Sequence, residues 1–391
     1  MTSKTLFACV CTVFVAALGV PEASAIRLEY VVEDGTYVGT IAVGTPPQSA
    51  NVAFDTNAGL LWVPHADCKC ADECYNVPEL VCYDICKSHC CGGEDIDPGN
   101  ITETSFALCT RKNVFNSDAS KTYIDRKSCV IANVLNQTTI FNAALDTLQL
   151  GAAHKNAPRI NAFSFGHSSS LPTEYTDLKY DGVFGLARNA PRGLTTPIKQ
   201  LTNRRAIRNP LVTLAFGQPE SPLHLYDAEL TIGEIDTKRC NIDAKNFFPT
   251  VSKDLWNGRV LRTSLNNSNH ADYLATIDIS TPYIHFPNTL FGNIQKNSKY
   301  DELTDTRTMD CDLARRYLNR FAVNFGFGDL GFNTDLIVRP DIEYQGKCKV
   351  MLKPAEDNAF VLGLPFLHRK CVVLDLNGRI GVADYREPDE P

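Results

Sequence analysis

Past residue 25 the 391-residue chain has no apolar run long enough to cross a bilayer, which takes about 20 consecutive apolar residues. This excludes a helical span from the rest of the chain. It also lacks any block of Lys and Arg or any run of basic residues interleaved with aromatics, and its formal net charge is -7. Nucleic acid is therefore excluded as a partner, and mild acidity serves solubility. None of its eight His stands beside a Ser or Cys in a nucleophile motif, which argues against serine- or cysteine-type hydrolysis. No two clean CxxC pairs occur, which argues against a structural zinc site, so no metal is expected. No cofactor motif is found, and no repetitive composition points to a storage or purely structural role.

Lys4, an uncharged and mostly apolar stretch over residues 5–21, and Ala23-Ser24-Ala25 have the layout of a cleavable secretory signal over residues 1–25. A secreted protein is the expectation. Fifteen Cys are present, of which Cys9 and Cys11 lie in the signal. In an oxidising compartment most of the others should pair, and their odd number leaves at least one free or joined to another chain. Nine fall between Cys68 and Cys129; Cys240, Cys311, Cys348 and Cys371 are scattered. Sequons begin at Asn100, Asn136 and Asn266, and fit glycosylated surface loops.

Short β-branched, alternating runs separated by turn residues recur to the C-terminus, as in Tyr37 to Val43, Thr45-Pro46-Pro47-Gln48 and Asn51 to Phe54. Few segments, such as Thr196 to Arg205 and Asp312 to Arg320, read as helices. A mainly β protein is expected. It echoes itself. Phe54-Asp55-Thr56-Asn57 returns as Ile277-Asp278-Ile279-Ser280-Thr281, and Val183-Phe184-Gly185 returns as Val361-Leu362-Gly363. A duplicated lobe explains four features in this order better than coincidence does.

With these motifs the chain resembles the pepsin-type aspartic proteases. Tyr37 to Ile41, Gly44 to Gln48, Phe54-Asp55-Thr56 and Leu61 to Pro64 match the opening of the first lobe. Asp181 to Ala187 matches its second half. Glu229 to Asp236, Asp278 to Pro287, Phe360 to Phe366 and Arg379 to Ala383 match the second lobe. The resemblance implies two related β lobes around a long cleft, over residues 26–210 and 211–391, with a Cys-rich insertion at about 65–113. It implies disulfides between Cys311 and Cys348 and between Cys240 and Cys371, the latter as in some worm members. It also implies a monomer with a peptide or protein in the cleft and no cofactor.

The resemblance makes Asp55 and Asp278 a catalytic pair. Two close carboxylates cannot both ionise cheaply, so they share a proton; one activates water and the other assists the carbonyl oxygen. Four departures follow. The family's glycine after each Asp-Thr or Asp-Ser is Asn57 in one copy and Ser280 in the other, which should strain a turn that glycine's freedom serves. Thr56 can brace the opposite lobe, but Ile279, beside Ser280 and Thr281, has no hydroxyl for the reciprocal bond. The flap, at about Val134, Leu135 and Asn136, has no Tyr or Gly. Only residues 26–36 separate the expected cleavage site from Tyr37, too few for an inhibitory prosegment. Two readings stand: a weak or non-catalytic binder that keeps the cleft, and an active acid endopeptidase. The departures favour the first.

Overall fold

The computed structural model describes residues 24–387, apart from 32–33, 70–108, 110, 136, 152–158, 218–227, 266–267, 271, 303–304, 319–320, 333 and 342–345. Asn100, Asn136 and Asn266 lie outside the described residues, as do Cys70, Cys74, Cys82, Cys86, Cys90 and Cys91.

Ten strands come first along the chain, the last two already past residue 210: β1 (Ser24–Val31), β2 (Thr36–Val43), β3 (Gln48–Asp55), β4 (Leu61–Lys69), β5 (Ile124–Val134), β6 (Gln137–Leu150), β7 (Arg159–Ser170), β8 (Gly182–Gly185), β9 (Leu211–Phe216) and β10 (Ala228–Ile232). They form one thirteen-stranded sheet with three strands from the C-terminal half. Its order is Phe247–Pro249, Arg379–Asp384, Lys370–Asp375, β9, β10, β1, β2, β3, β8, β4, β7, β6, β5. Mid-sheet strands covered on both faces read as continuous apolar runs; β9, Leu-Val-Thr-Leu-Ala-Phe, is buried throughout. Its one polar side chain is satisfied, Thr213 Oγ1 donating to the Glu234 carbonyl at 2.9 Å.

The sequence echo is a structural repeat. β3 runs parallel to β8, pairing Asp55 with Gly185, while β4 lies antiparallel to β8. In the second half Tyr273–Ile277 runs parallel to Phe360–Leu362, pairing Ile277 with Leu362, while Ile284–Phe286 lies antiparallel to the latter. Asp55 thus ends its strand beside Gly185, and Asp278 and Gly363 each follow directly on the paired strand ends Ile277 and Leu362. Both glycines are close-approach positions. A Cβ on Gly185 would lie 2.2 Å from the Ala58 carbonyl oxygen, and one on Gly363 would lie 2.2 Å from that of Tyr283. Apolar residues of the two halves, Phe54 and Phe184 with Ile277, Leu362 and Val372 among them, belong to one buried cluster.

Some expectations shift. Residues 26–36 are largely strand: Ile26, Arg27 and Leu28 pair with Leu230, Glu229 and Ala228. Ser24 and Ala25 continue that register, so a cut after Ala25 would leave most of it intact. The insertion begins later than residue 65, because β4 continues to Lys69. The chain is back in the fold by Phe115, which bridges to His65 and whose N–H donates to Pro64. Cys68 bonds Cys109 across this segment, Cys240 bonds Cys371, Cys311 bonds Cys348, and Cys129 is a free, exposed thiol. The two expected helices run over Pro197–Asn203, with Pro at its first turn, and Cys311–Tyr317, capped by Asp310, whose carboxylate accepts from Leu313 N–H at 3.0 Å; a longer one, Asn288–Asn297, was not expected.

Candidate active site

Asp55 and Asp278 meet although 223 positions separate Thr56 from Ile279, the residues that follow them. Ser280 Oγ lies 3.0 Å from Asp55 Oδ1 and 2.8 Å from Asp278 Oδ1. Asn57 Nδ2 donates to Asp278 Oδ2 at 2.9 Å. Each turn also secures its own carboxylate: Asn57 N–H donates to Asp55 Oδ1 at 2.7 Å, and Ser280 N–H donates to Asp278 Oδ1 at 2.8 Å. The two residues in place of the family's glycines therefore reach across the lobe boundary, each onto the other half's Asp.

The backbone around the pair follows from the repeat. Leu186 N–H donates to the Asp55 carbonyl at 2.7 Å and Ala187 N–H to that of Ala58 at 2.9 Å. In the second half Asp278 N–H donates to the Leu362 carbonyl at 3.2 Å and Leu364 N–H to that of Thr281 at 3.1 Å. The expectation of a strained turn is overturned. Neither Asn57 nor Ser280 has a positive φ, so the backbone here does not call on glycine's freedom. What changes with these residues is the polar chemistry facing the carboxylates.

Burial, first, and then the charge of Asp278 push the Asp55 carboxyl up from 3.8, against the hydrogen bonds from Asn57, Ser280 and Ala58 that pull it down. Ser280 has one hydroxyl proton for two carboxylate contacts. The hydroxyl therefore satisfies one carboxylate at a time, and a proton on Asp55 would relieve the conflict by turning one acceptor into a donor.

Thr56 Oγ1, buried, accepts from Ile279 N–H at 3.3 Å, which is one direction of the interlobe brace. Ile279 has no hydroxyl to return it and is fully buried. Thr281 is turned away from the pair, its hydroxyl 3.3 Å from Tyr283 N–H and 3.5 Å from His285 Nε2. β5 and β6 form a hairpin, with Val134 paired to Gln137 and Leu135 at φ 50°. Val134 is packed with Trp62 and Phe141. Among the described residues no contact joins Val134 or Leu135 to either carboxylate.

Two residues were not legible as neighbours of the site. Tyr180 lies near enough to Asp55 for that charge, with Asp34 and above all burial, to push its phenol up. Trp256, buried in the C-terminal half, donates Nε1–H across the boundary to the Leu186 carbonyl at 2.8 Å. A second cluster resembles a nucleophile triad: His65 Nε2 is 3.1 Å from Ser117 Oγ, and Asp67 Oδ2 is 3.3 Å from His65 Nδ1. Asp67's own N–H also donates to His65 Nδ1 at 3.2 Å. A backbone donor and a carboxylate acceptor thus compete for the one Nδ1, unlike a triad, in which the carboxylate alone holds that nitrogen.

The family model described as eukaryotic aspartyl protease matches residues 36–385. Aspartic protease 10 of Caenorhabditis elegans is 24% identical over 371 residues, covering 90% of this chain and 84% of that protein. Aspartic protease 2 of Necator americanus is 26% identical over 367 residues, covering 89% and 82%. Pregnancy-associated glycoprotein 2 of Bos taurus is 26% identical over 369 residues, covering 90% and 82%. Two parallel-strand repeats that each present an Asp to the other, and a family match running almost end to end, give one conclusion: the chain belongs to the eukaryotic aspartyl protease family.

Proposed function

We propose that this protein binds a peptide or protein segment between its two lobes and hydrolyses it weakly or not at all. One observation carries the reading: Ser280 Oγ bonds both Asp55 and Asp278. An aspartic dyad works by holding a water between its carboxylates, one of which removes a proton from it. Here a side-chain hydroxyl makes the two-carboxylate contact that this water must make. Asn57 Nδ2 takes a further carboxylate oxygen, on Asp278. An attacking water must displace both groups, and each charge-assisted bond is worth about 1.5–3 kcal/mol.

The lobes in this reading are residues 26–210 and 211–391, following removal of 1–25. Secretion is supported by the signal-like start and by three disulfides, and among the described residues no helix is long and apolar enough to cross a membrane.

The chain without residues 1–25 is incubated with denatured protein from pH 3 to pH 7, beside an Asp55→Asn control, and titrated separately with a statine-type inhibitor. The expected result is little or no Asp55-dependent cleavage with measurable inhibitor binding. Rapid cleavage that Asp55→Asn abolishes and the inhibitor blocks establishes the active endopeptidase instead.

A further inference from the structure

A cavity of about 350 Å³ opens in the C-terminal half, lined by Tyr300, Asp305, Arg307, Leu352, Lys353 and Pro354. The segment that follows Asp278 connects it to the dyad. Thr281 Oγ1 is 3.5 Å from His285 Nε2, and His285 pairs with Lys353 between parallel strands. The Tyr283 ring lies 4.1 Å from Lys353 Nζ, and its hydroxyl donates to the Asp305 carbonyl at 3.5 Å. Burial and then Lys353 hold the His285 imidazole low, while Asp278 and Asp305 act on it in the opposite sense. One ring is thus within electrostatic reach of both the dyad and the cavity.

Within the cavity the charges do not cancel. Lys353 is ion-paired with Asp305, whose other oxygen accepts from the Tyr300 hydroxyl at 2.8 Å. Arg307 is left over. Its guanidinium lies 5.2 Å from the Phe291 ring and 5.0 Å from the Tyr300 ring. Its hydrogen bond to Ser298 Oγ is long, at 3.4 Å. Among the described residues no carboxylate pairs with it. A guanidinium has five N–H donors in a rigid fork that matches a carboxylate. Stacking between rings fixes the group while leaving most of that fork free. Pro354, exposed and backed by buried Leu352, supplies an apolar surface for the ligand's methylenes. Glu302, whose charge is felt at Tyr300, is the nearby competitor.

We propose that this cavity binds a carboxylate of the segment held in the cleft, from an acidic side chain or a chain terminus, and so gives the protein a preference for acidic ligands. The proposal rests on the reading of the cleft as a peptide-binding site.

Statine-centred peptides test it. Glu is walked through every position on either side of the statine, each peptide has a Gln counterpart, and the set is made with free and with amidated C-termini. Binding to the chain without residues 1–25 is read by fluorescence polarisation. At one position Glu should bind about tenfold tighter than Gln, the scale of one charge-assisted bond. Arg307→Gln should erase the difference, and Arg307→Lys should keep part of it, since an ammonium has charge without the fork. A preference that appears only with a free C-terminus assigns the carboxylate to the chain end. Equal binding of Glu and Gln peptides everywhere, with no effect of amidation, overturns the proposal. If no statine peptide binds, the cleft reading has failed, and the cavity is read directly. The side-chain 15N signal of Arg307, identified by its loss in Arg307→Lys, is followed while N-acetylglutamate N-methylamide is added. A shift absent with the glutamine analogue supports the cavity, and no selective shift overturns it.

Discussion

Ser280 has one proton to give and two carboxylates to face, and the ionisation of Asp55 sets how that conflict resolves. Burial and Asp278 hold the Asp55 carboxyl above 3.8, so folding takes up a proton there. The sign follows: this group's contribution is fully favourable below about 3.8 and is lost as pH rises through its raised value. Asp55→Asn removes the titration. Relative to the unsubstituted protein, it should therefore gain thermal stability between pH 3.5 and pH 7, read as the Tm difference at each pH; a constant difference contradicts the raised carboxyl. Thr56→Val tests the surviving half of the brace. It leaves the buried Ile279 N–H without its acceptor and should cost about 1–3 kcal/mol by denaturant unfolding. That the two acids come together was readable from the sequence because each sits at the same point of a duplicated motif. The bridging of both by Ser280 was not. It depends on the separation of two turns more than 220 residues apart, and one residue type fits many rotamers.

At the scale of elements, each Asp-bearing loop is held by a strand that ends at or just before a glycine. The requirement is space: Gly185 and Gly363 sit against carbonyl oxygens closer than any Cβ tolerates. Gly185→Ala and Gly363→Ala should each cost about 3 kcal/mol or more, or prevent folding, as measured by urea unfolding. Asn57→Gly and Ser280→Gly, by contrast, should each cost no more than about 2 kcal/mol, since neither backbone is strained and water can take over the lost side-chain bonds at an exposed Asn57 and a half-buried Ser280. The echo of Val183-Phe184-Gly185 in Val361-Leu362-Gly363 made the duplication legible, because two apolar residues followed by glycine is a local pattern, whereas the parallel pairing itself was not read from it. The reach of β4 to Lys69 was not legible. His65 to Lys69 has no alternating apolar pattern, and its pairing with β7 and Phe115 is a long-range contact. The Arg307 cavity was hidden for the same reason, since its walls join the hairpin of Tyr300 and Arg307 to the strand Leu352–Pro354, far along the chain.

Across the whole molecule, the halves are tied by a continuous sheet and by side chains that cross the boundary. Trp256 Nε1 donates to Leu186, Arg188 lies over the Trp256 ring at 5.5 Å, and Arg188 Nη1 donates to Thr250 Oγ1 at 2.6 Å. Trp256→Phe leaves the buried Leu186 carbonyl without this donor and should cost about 2 kcal/mol in a two-state fit. Loosened lobes should also misalign the dyad and weaken binding of a statine peptide. The bilobal fold itself was readable from the motifs, but this crossing was not, since nothing near Trp256 in the sequence points to Leu186. The central claim is that two side chains, rather than a damaged fold, keep the dyad from working. The most direct test is the rate at which the Asn57→Gly/Ser280→Gly double variant cleaves a fluorogenic peptide at pH 3 to 5, beside the unsubstituted protein. Freed carboxylates should raise Asp55-dependent hydrolysis by about tenfold or more. A double variant that folds, binds a statine peptide and still cleaves no faster contradicts the account.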